Sequence, residues 1–159
     1  MLVPFMTIFL TVGLHEQPFD RLVKAVDLLE VETKIIQRGH SVYEPKHSQV
    51  FKFLNFEEIL YYLQKSNVVI THGGAGSIML ALSAGKKPIV APRYKKFGEV
   101  VDDHQFEIVK KLAEMDLIIP FYDGDDLSNI IFNRNFLTEN ITLKSRKIDE
   151  VIHSFLNAT

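Results

Sequence analysis

Short apolar segments alternate along the chain with longer segments in which apolar residues recur at helical spacing. The apolar segments predict six buried strands, at Met6–Val12, Lys34–Arg38, Val50–Leu54, Asn67–Thr71, Pro88–Ala91 and Leu117–Pro120. The longer segments predict six helices, at Pro18–Glu32, Asn55–Lys65, Ser77–Ala84, Asp103–Met115, Asp125–Asn133 and Thr138–Leu156. Strands and helices in this order favour an α/β fold, a Rossmann-like parallel sheet with helices on both faces.

Individual residues mark where several of these helices begin and end. Pro18 suits the first position of a helix, where its missing N–H would have no partner in any case. Asn55, followed three residues later by Glu58, has the spacing of a capping box at a helix start. Gly85 suits the position just after a helix, where the backbone often turns left-handed.

Composition and charge exclude several classes of protein. The chain has 159 residues, of which 47% are apolar and 24% charged, as expected for one globular domain spanning residues 1–159. Its 18 basic and 20 acidic residues leave a formal charge of −2, which argues against nucleic-acid binding through a basic surface. Cysteine is absent, so disulfides, thiolate nucleophiles and cysteine zinc sites are excluded. The apolar start of the chain ends at His15, too early to cross a membrane.

Polar and glycine-rich segments follow three of the predicted strands, at the edge of the sheet where ligands of such folds bind. They are Gly13–Asp20, Thr71–Ser77 and Pro92–Gln105. The second segment holds three glycines within four residues and opens a helix, so its backbone N–H groups suit a phosphate group. Tight packing of the strand against the helix would explain the same glycines equally well.

Better-known phosphate and catalytic motifs do not fit this glycine-rich segment. The chain has no P-loop string and no nucleophile elbow of the Gly-x-Ser-x-Gly type. Aligning Gly74 and Gly76 with the dinucleotide fingerprint puts Met79 where its third glycine belongs, and the next strand ends without a carboxylate. A nicotinamide-dependent oxidoreductase is therefore disfavoured. The six histidines are scattered, so no metal site is expected.

The third segment combines sugar-binding side-chain types with cations and aromatic rings. Asp102 and Asp103 can cap the helix that follows, whereas His104 and Gln105 are not needed for a cap. Asp, His and Gln together supply the donors and acceptors that sugar hydroxyls require. Three cations stand among the aromatic residues Tyr94 and Phe97 and suit a diphosphate, an anionic membrane surface or a solvated loop: Arg93, Lys95 and Lys96.

Three motifs together resemble the nucleotide-sugar-binding domain of MurG-like glycosyltransferases of family 28. They are Val69–Ile78, Gly85–Pro92 and Asp103–Gln105. The opening segment Thr11–Arg21 is similar to that of PssE-like bacterial polysaccharide glycosyltransferase subunits. Those are relatives of the small catalytic subunit of the split eukaryotic N-acetylglucosaminyltransferase that builds lipid-linked glycans. The resemblance covers almost the whole chain and leaves residues 1–5 as an extension.

The resemblance implies a fold, a reaction and a partner. The fold would be the C-terminal half of a GT-B glycosyltransferase. The reaction would move a hexose from a UDP-sugar to a lipid-linked saccharide acceptor with inversion, with no bound metal and no cofactor, in exopolysaccharide or capsule synthesis. A separate membrane-anchored subunit would bind the acceptor, so the chain would be cytoplasmic and held at the inner face of the membrane through that partner.

The same resemblance implies which residues form the site. Donor binding would involve the glycine-rich turn, the start of the third segment's helix and the end of the first strand. These residues are Gly13, His72, Gly73, Gly74, Ala75, Gly76, Ser77, Asp103, His104 and Gln105. His15 or Glu16 would be the general base, unless the partner supplies it.

One substitution leaves an alternative open. Many family members bind the ribose through a carboxylate at the position of Leu80, which is apolar here. A non-catalytic nucleotide-binding or activating module for a membrane-bound transferase is therefore the second hypothesis. The final predicted helix also repeats apolar residues that would form an exposed partner surface or simply cover the sheet, namely Ile148, Val151, Ile152 and Phe155.

Overall fold

The computed structural model describes residues 5–134 together with Glu150 and His153. Within that part of the chain, six strands form one parallel sheet in the order β3-β2-β1-β4-β5-β6. The strands are β1 Thr7–Thr11, β2 Thr33–Gln37, β3 Gln49–Phe51, β4 Val68–His72, β5 Ile89–Ala91 and β6 Ile119–Pro120. The helices are α1 Asp20–Asp27, α2 Phe56–Lys65, α3 Ala75–Ser83, α4 His104–Glu114 and α5 Leu127–Phe132, with a 3₁₀ turn at Lys95–Phe97. The predicted α/β fold is confirmed.

Strand β1 forms the centre of the sheet because it pairs with β2 on one side and β4 on the other. Its successive side chains point to opposite faces, as in any strand. Ile8 and Leu10 join the cluster that α1 and α5 cover, whereas Phe9 packs among residues of α2 and α3 on the other face. All three are fully buried, which explains why this strand has no polar alternation.

Two of the three predicted helix signals are confirmed, whereas Pro18 lies before helix α1, whose N-cap residue is Phe19. The Asn55 side chain accepts from the Glu58 N–H at 2.9 Å, and the Glu58 carboxylate accepts from the Asn55 N–H at 3.0 Å. Gly85 has φ of +76° after α3, and the N–H groups of Gly85 and Lys86 bond to the Leu82 and Ala81 carbonyls. This pair of bonds is a Schellman motif. The capping box at the start of α2 and the glycine after α3 are therefore both confirmed.

Helix α1 is shorter at both ends than the predicted Pro18–Glu32, and its last residue, Asp27, has a buried side chain. The Asp27 carboxylate is fully buried and accepts hydrogen bonds from the loop between β2 and β3. Its donors are the Tyr43 and Ser48 hydroxyls and the backbone N–H groups of Lys46 and His47. Burial raises the pKa of Asp27, but these hydrogen bonds outweigh burial and bring it to about 2. One carboxylate at the end of the helix thus organises the loop between β2 and β3.

Two other predictions differ from the structure or lie beyond it. Helix α3 begins at Ala75, two residues before the predicted Ser77, so that Ala75 and Gly76 belong to the helix. Of the predicted helix at Thr138–Leu156, only Glu150 and His153 are described, and both are helical. The rest of that prediction, with its apolar partner surface, lies outside the described residues. In the described part of the chain, no helix has the length and hydropathy of a membrane span.

Candidate functional site

A cavity of about 490 Å³ opens at the carboxyl ends of β1, β2 and β4, between helices α2 and α3. The strand order reverses between β1 and β4, and such a reversal leaves a crevice in open parallel sheets. Most of the cavity wall is apolar, formed by Leu14, Leu54, Phe56, Ile59, Leu63, Val69 and Leu80. Thr11, Gln37, His72 and Ser77 supply its polar side chains, and no charged side chain of the described residues lines it.

His72 lies at one end of this cavity, between two glycines. A Cβ atom at Gly13 would come within 2.3 Å of His72 Nε2, and one at Gly74 within 2.2 Å of His72 Cε1. Gly13 also has φ of +73°, which disfavours any side chain at that position. The glycines therefore make room for the imidazole, so the tight-packing explanation of the glycine-rich turn holds for Gly74.

The His72 imidazole is buried and neutral. The residue is 8% exposed, and its Nε2 atom lies 3.2 Å from the Ser77 hydroxyl. Its Nδ1 atom has no hydrogen-bond partner among the described residues. Burial, reinforced by the charges of Arg93 and His15, lowers the pKa of His72 to about 3. The ring therefore adds a dipole to the site rather than a positive charge.

This depressed pKa predicts a loss of stability in mild acid. Below its ordinary pKa of 6.5, the imidazole takes up a proton in the unfolded chain but not in the folded one. The free energy of unfolding should therefore fall by about 2 kcal/mol between pH 7 and pH 5. Urea unfolding across that range measures the loss.

A variant series assigns this pH dependence to His72. His72→Gln should remove most of the dependence, whereas His47→Asn, at an exposed histidine, should leave it intact. Burial also lowers the pKa of His15, which adds to the loss in the same direction. An unchanged pH dependence in His72→Gln would show that the imidazole accepts a proton in the folded chain.

The start of α3 presents backbone donors beside His72. The first hydrogen bond of the helix runs from the Ile78 N–H to the Gly74 carbonyl. The N–H groups of Ala75, Gly76 and Ser77 precede that bond and have no acceptor within the helix. Gly74 at the cap position has no side chain to accept from them. This end of the helix therefore carries partial positive charge and free donors, which suit an anion.

A chain of buried hydrogen bonds connects the base of the cavity to the turn after β1. The Leu54 N–H donates to Gln37 Oε1 at 2.8 Å, and Gln37 Nε2 donates to the Thr11 hydroxyl at 2.8 Å. The Gly13 N–H donates to the same hydroxyl at 3.2 Å. Thr11 and Gln37 are therefore engaged within the protein. Sequence reasoning did not identify either one, because a single polar residue at the end of an apolar strand has no distinctive pattern.

Arg93 holds the loop after β1, residues 12–19, which we call the first loop. Its guanidinium is completely buried and donates to the carbonyls of Val12, Gln17, Pro18 and Glu99 at 2.9 to 3.4 Å. Burial lowers the pKa of Arg93 to about 10, so it remains charged at neutral pH. The expectation that Arg93 meets a diphosphate or a membrane is therefore wrong, because the carbonyls of the first loop converge on it.

The first loop presents His15 and Glu16 outside the cavity wall. His15 Nδ1 accepts a hydrogen bond from the Gln17 N–H at 3.2 Å, which places the proton of the neutral ring on Nε2. Burial first, and the charge of Arg93 second, lower the pKa of His15, whereas Glu16 raises it. Glu16 is exposed to solvent. At neutral pH His15 is thus a donor at Nε2, and Glu16 is the nearby acceptor.

The predicted sugar-binding residues at the start of α4 organise the neighbouring loop. Asp103 Oδ1 accepts from the Lys95 N–H at 3.1 Å, and Gln105 Oε1 accepts from the Arg93 N–H at 3.1 Å. The His104 side chain is exposed. Gln105 also packs beside Gly73, where an added Cβ would approach it to 3.0 Å. None of Asp103, His104 and Gln105 lines the cavity.

The structure thus separates the predicted site residues into two groups. Gly13, His72, Gly74, Gly76 and Ser77 line the cavity, and Ala75 lies between them at the start of α3. The remaining predicted residues, at His15, Glu16, Gly73 and 103–105, do not line the cavity. Within the described ranges, no three His, Asp or Glu side chains are placed to hold a metal ion.

Comparison with protein families and curated proteins gives consistent matches. The model of the glycosyltransferase family 28 C-terminal domain matches residues 7–131. The UDP-N-acetylglucosamine transferase subunit ALG13 of Yarrowia lipolytica is 27% identical over 129 residues, which cover 71% of this chain and 64% of that protein. Its namesake in Candida albicans is 24% identical over 135 residues, or 79% and 44% of the two chains. The chain thus spans less than two thirds of either relative.

Solved structures show the same fold at low sequence identity. The MurG structure from Acinetobacter baumannii is 17% identical with a TM-score of 0.51, and the match covers 98% of this chain and 42% of that one. The solution structure of ALG13 is also 17% identical, with a TM-score of 0.58 and 97% and 96% of the two chains covered. The sheet is therefore that of GT-B glycosyltransferases.

Proposed function

Since the chain belongs to the glycosyltransferase family 28 C-terminal domain family, we propose that it is the catalytic, UDP-sugar-binding subunit of a two-chain inverting glycosyltransferase. It transfers a hexose to a lipid-linked acceptor in exopolysaccharide or capsule synthesis. The relatives are named UDP-N-acetylglucosamine transferase subunits, which makes UDP-N-acetylglucosamine the first donor to test. The observation that carries the proposal is the uncapped start of α3 opening into the cavity beside His72.

The start of α3 supplies what a departing UDP needs. Glycosyl transfer leaves negative charge on the diphosphate as the bond to the sugar breaks. The N–H groups of Ala75, Gly76 and Ser77 and the Ser77 hydroxyl stabilise that charge, together with the positive end of the helix. These groups are fixed in place before the reaction, so the mechanism requires no metal ion. The neutral His72 holds Ser77 in position through the Nε2 contact.

The first loop supplies the acid–base chemistry. The acceptor hydroxyl must lose a proton as it attacks the sugar carbon. Glu16 is the base in this proposal, because its carboxylate is exposed and His15 Nδ1 is already engaged by the Gln17 N–H. His15 donates a hydrogen bond from Nε2 to the substrate.

The partner in this proposal is a membrane-anchored subunit that binds the lipid-linked acceptor. It would hold the chain at the cytoplasmic face of the membrane. The relatives are named as subunits, which supports a divided enzyme. Leu14, which lines the cavity from the first loop and is 73% exposed, supplies an apolar contact for that partner.

A second candidate function is a nucleotide-binding module that activates a partner without chemistry of its own. The uncharged wall of the cavity favours this candidate, because catalytic groups are then confined to one exposed loop. Transfer activity in variants of Glu16 distinguishes the two candidates, as described in the Discussion.

Gly76→Ala tests the anion site directly. Gly76 lies in the first turn of α3 and lines the cavity, and an added Cβ would meet nothing within 4 Å. We expect the alanine to raise the free energy of unfolding by roughly 0.4–1 kcal/mol, because it restricts the unfolded chain. We expect UDP binding, measured by calorimetry, to weaken at least tenfold because the methyl group occupies the diphosphate position.

Two further variants control this experiment. Ser83→Ala changes the exposed far end of the same helix and should leave UDP binding unaltered. Gly74→Ala should destabilise the protein, because the new Cβ collides with His72. Undiminished UDP binding by Gly76→Ala would contradict a diphosphate at the start of α3.

A further inference from the structure

We infer that the cavity does not recognise the 2′-hydroxyl of a bound nucleotide, so that it accepts deoxyribonucleoside diphosphates as readily as ribonucleoside diphosphates. The inference rests on the proposed nucleotide site and deepens it, since it concerns which nucleotides the same cavity takes. It follows from the position of Leu80 relative to the anion site and from the hydrogen bonds that polar side chains of the cavity wall already make within the protein.

The position of Leu80 follows from helix geometry. Ser77 and Leu80 are three residues apart on α3 and both line the cavity. Side chains at this spacing share one face of a helix, and three residues advance about 4.5 Å along its axis. A nucleotide whose diphosphate lies at Ser77 therefore brings its pentose, the next group along, against the Leu80 side chain.

The surroundings of Leu80 are apolar. Phe56 and Ile59 of α2 face α3 across the cavity, and Leu54 precedes α2. None of these side chains can donate or accept a hydrogen bond. Along the described cavity wall, no carboxylate, ammonium or guanidinium group is available to bind a pentose hydroxyl.

The polar side chains of the wall away from the anion end, Thr11 and Gln37, are engaged within the protein. The Gln37 side-chain amide accepts a hydrogen bond from the Leu54 N–H and donates one to the Thr11 hydroxyl. Gln37 and Thr11 are both almost fully buried. His72 and Ser77 contact each other at the anion end through the His72 Nε2 atom, and the unpartnered His72 Nδ1 atom is buried, so it is not presented to the cavity. A 2′-hydroxyl near Leu80 is thus left to solvent, and its removal costs the complex no protein hydrogen bond.

UDP and 2′-deoxy-UDP differ only in this hydroxyl and therefore test the inference. Calorimetric titration of the full chain should give dissociation constants within fivefold of each other. A site that binds a hydroxyl through its own polar groups discriminates much more strongly against the analogue that lacks it. A fivefold or greater preference for UDP would overturn the inference and leave the proposed function standing. Binding of neither nucleotide would overturn both.

Substitution of Leu80 provides a second, independent readout. Leu80→Glu places a carboxylate beside the pentose and should create a preference for UDP over 2′-deoxy-UDP of at least tenfold, since hydrogen bonds to charged groups are the stronger kind. Leu80→Met keeps the volume without an acceptor and should keep the wild-type ratio. A wild-type ratio in a folded Leu80→Glu variant would overturn the placement of Leu80 beside the pentose. If that variant does not fold, the wild-type ratio decides.

Discussion

Replacement of Arg93 by methionine should lower the free energy of unfolding by about 3–5 kcal/mol, because several buried carbonyl groups lose their donor at once. The guanidinium donates to Val12 on one side of the first loop and to Gln17 and Pro18 on the other. It also stacks on Phe19, with its central carbon 4.7 Å from the ring centre. Urea unfolding at pH 7 measures the loss as a lower midpoint.

Two neighbouring substitutions show whether this effect belongs to the guanidinium. Arg93→Lys keeps the charge but cannot reach all the carbonyls at once, so its loss should be intermediate. Lys95→Met changes an exposed residue of the same loop and should stay within about 0.5 kcal/mol of the wild type. A loss below about 1 kcal/mol in Arg93→Met would mean that water or rearrangement satisfies those carbonyls.

Glu16→Gln should reduce sugar transfer by 10²–10⁴-fold, the range usual for the loss of a general base. The assay uses membranes of source cells in which the variant replaces the native chain, and it follows labelled sugar from UDP-N-acetylglucosamine into lipid. UDP binding should not change, because Glu16 does not line the cavity.

The outcome for Glu16 also decides between the two candidate functions. Glu44→Gln, at an exposed carboxylate in the loop between β2 and β3, should leave transfer unchanged and serves as the control. A loss smaller than about tenfold in Glu16→Gln would place the base on the partner subunit. The chain would then act as the nucleotide-binding module, provided that UDP still binds.

The order of strands and helices was predictable from the residues because its causes are local. A strand buried on both faces needs a short continuous apolar segment, as at Ile8–Leu10 in β1. Helix ends were predictable for the same reason. The Asn55 capping box and the left-handed Gly85 each depend on hydrogen bonds within five residues.

The predicted bounds of helices α1 and α3 were wrong, and both helix ends carry a contact that short sequence patterns do not reveal. Helix α1 ends at Asp27, whose carboxylate binds residues 43–48, a contact that no pattern within the helix could reveal. Helix α3 begins at Ala75 although glycine disfavours helices. Gly74 and Gly76 both have negative φ there, and the space beside Gly74 is needed for His72.

The candidate site likewise combines features that the sequence predicts with features that only the fold determines. Amino-acid types and their order were enough to place a glycine-rich turn at the carboxyl edge of a parallel sheet, since strand direction and helix start follow from short stretches of chain. Only the folded chain decides that His72 is neutral, that Arg93 holds a loop instead of a ligand, and that the cavity beside Leu80 is uncharged. Burial and electrostatic environment are produced by residues far apart in the chain. They are set when the loops after β1, β4 and β5 meet.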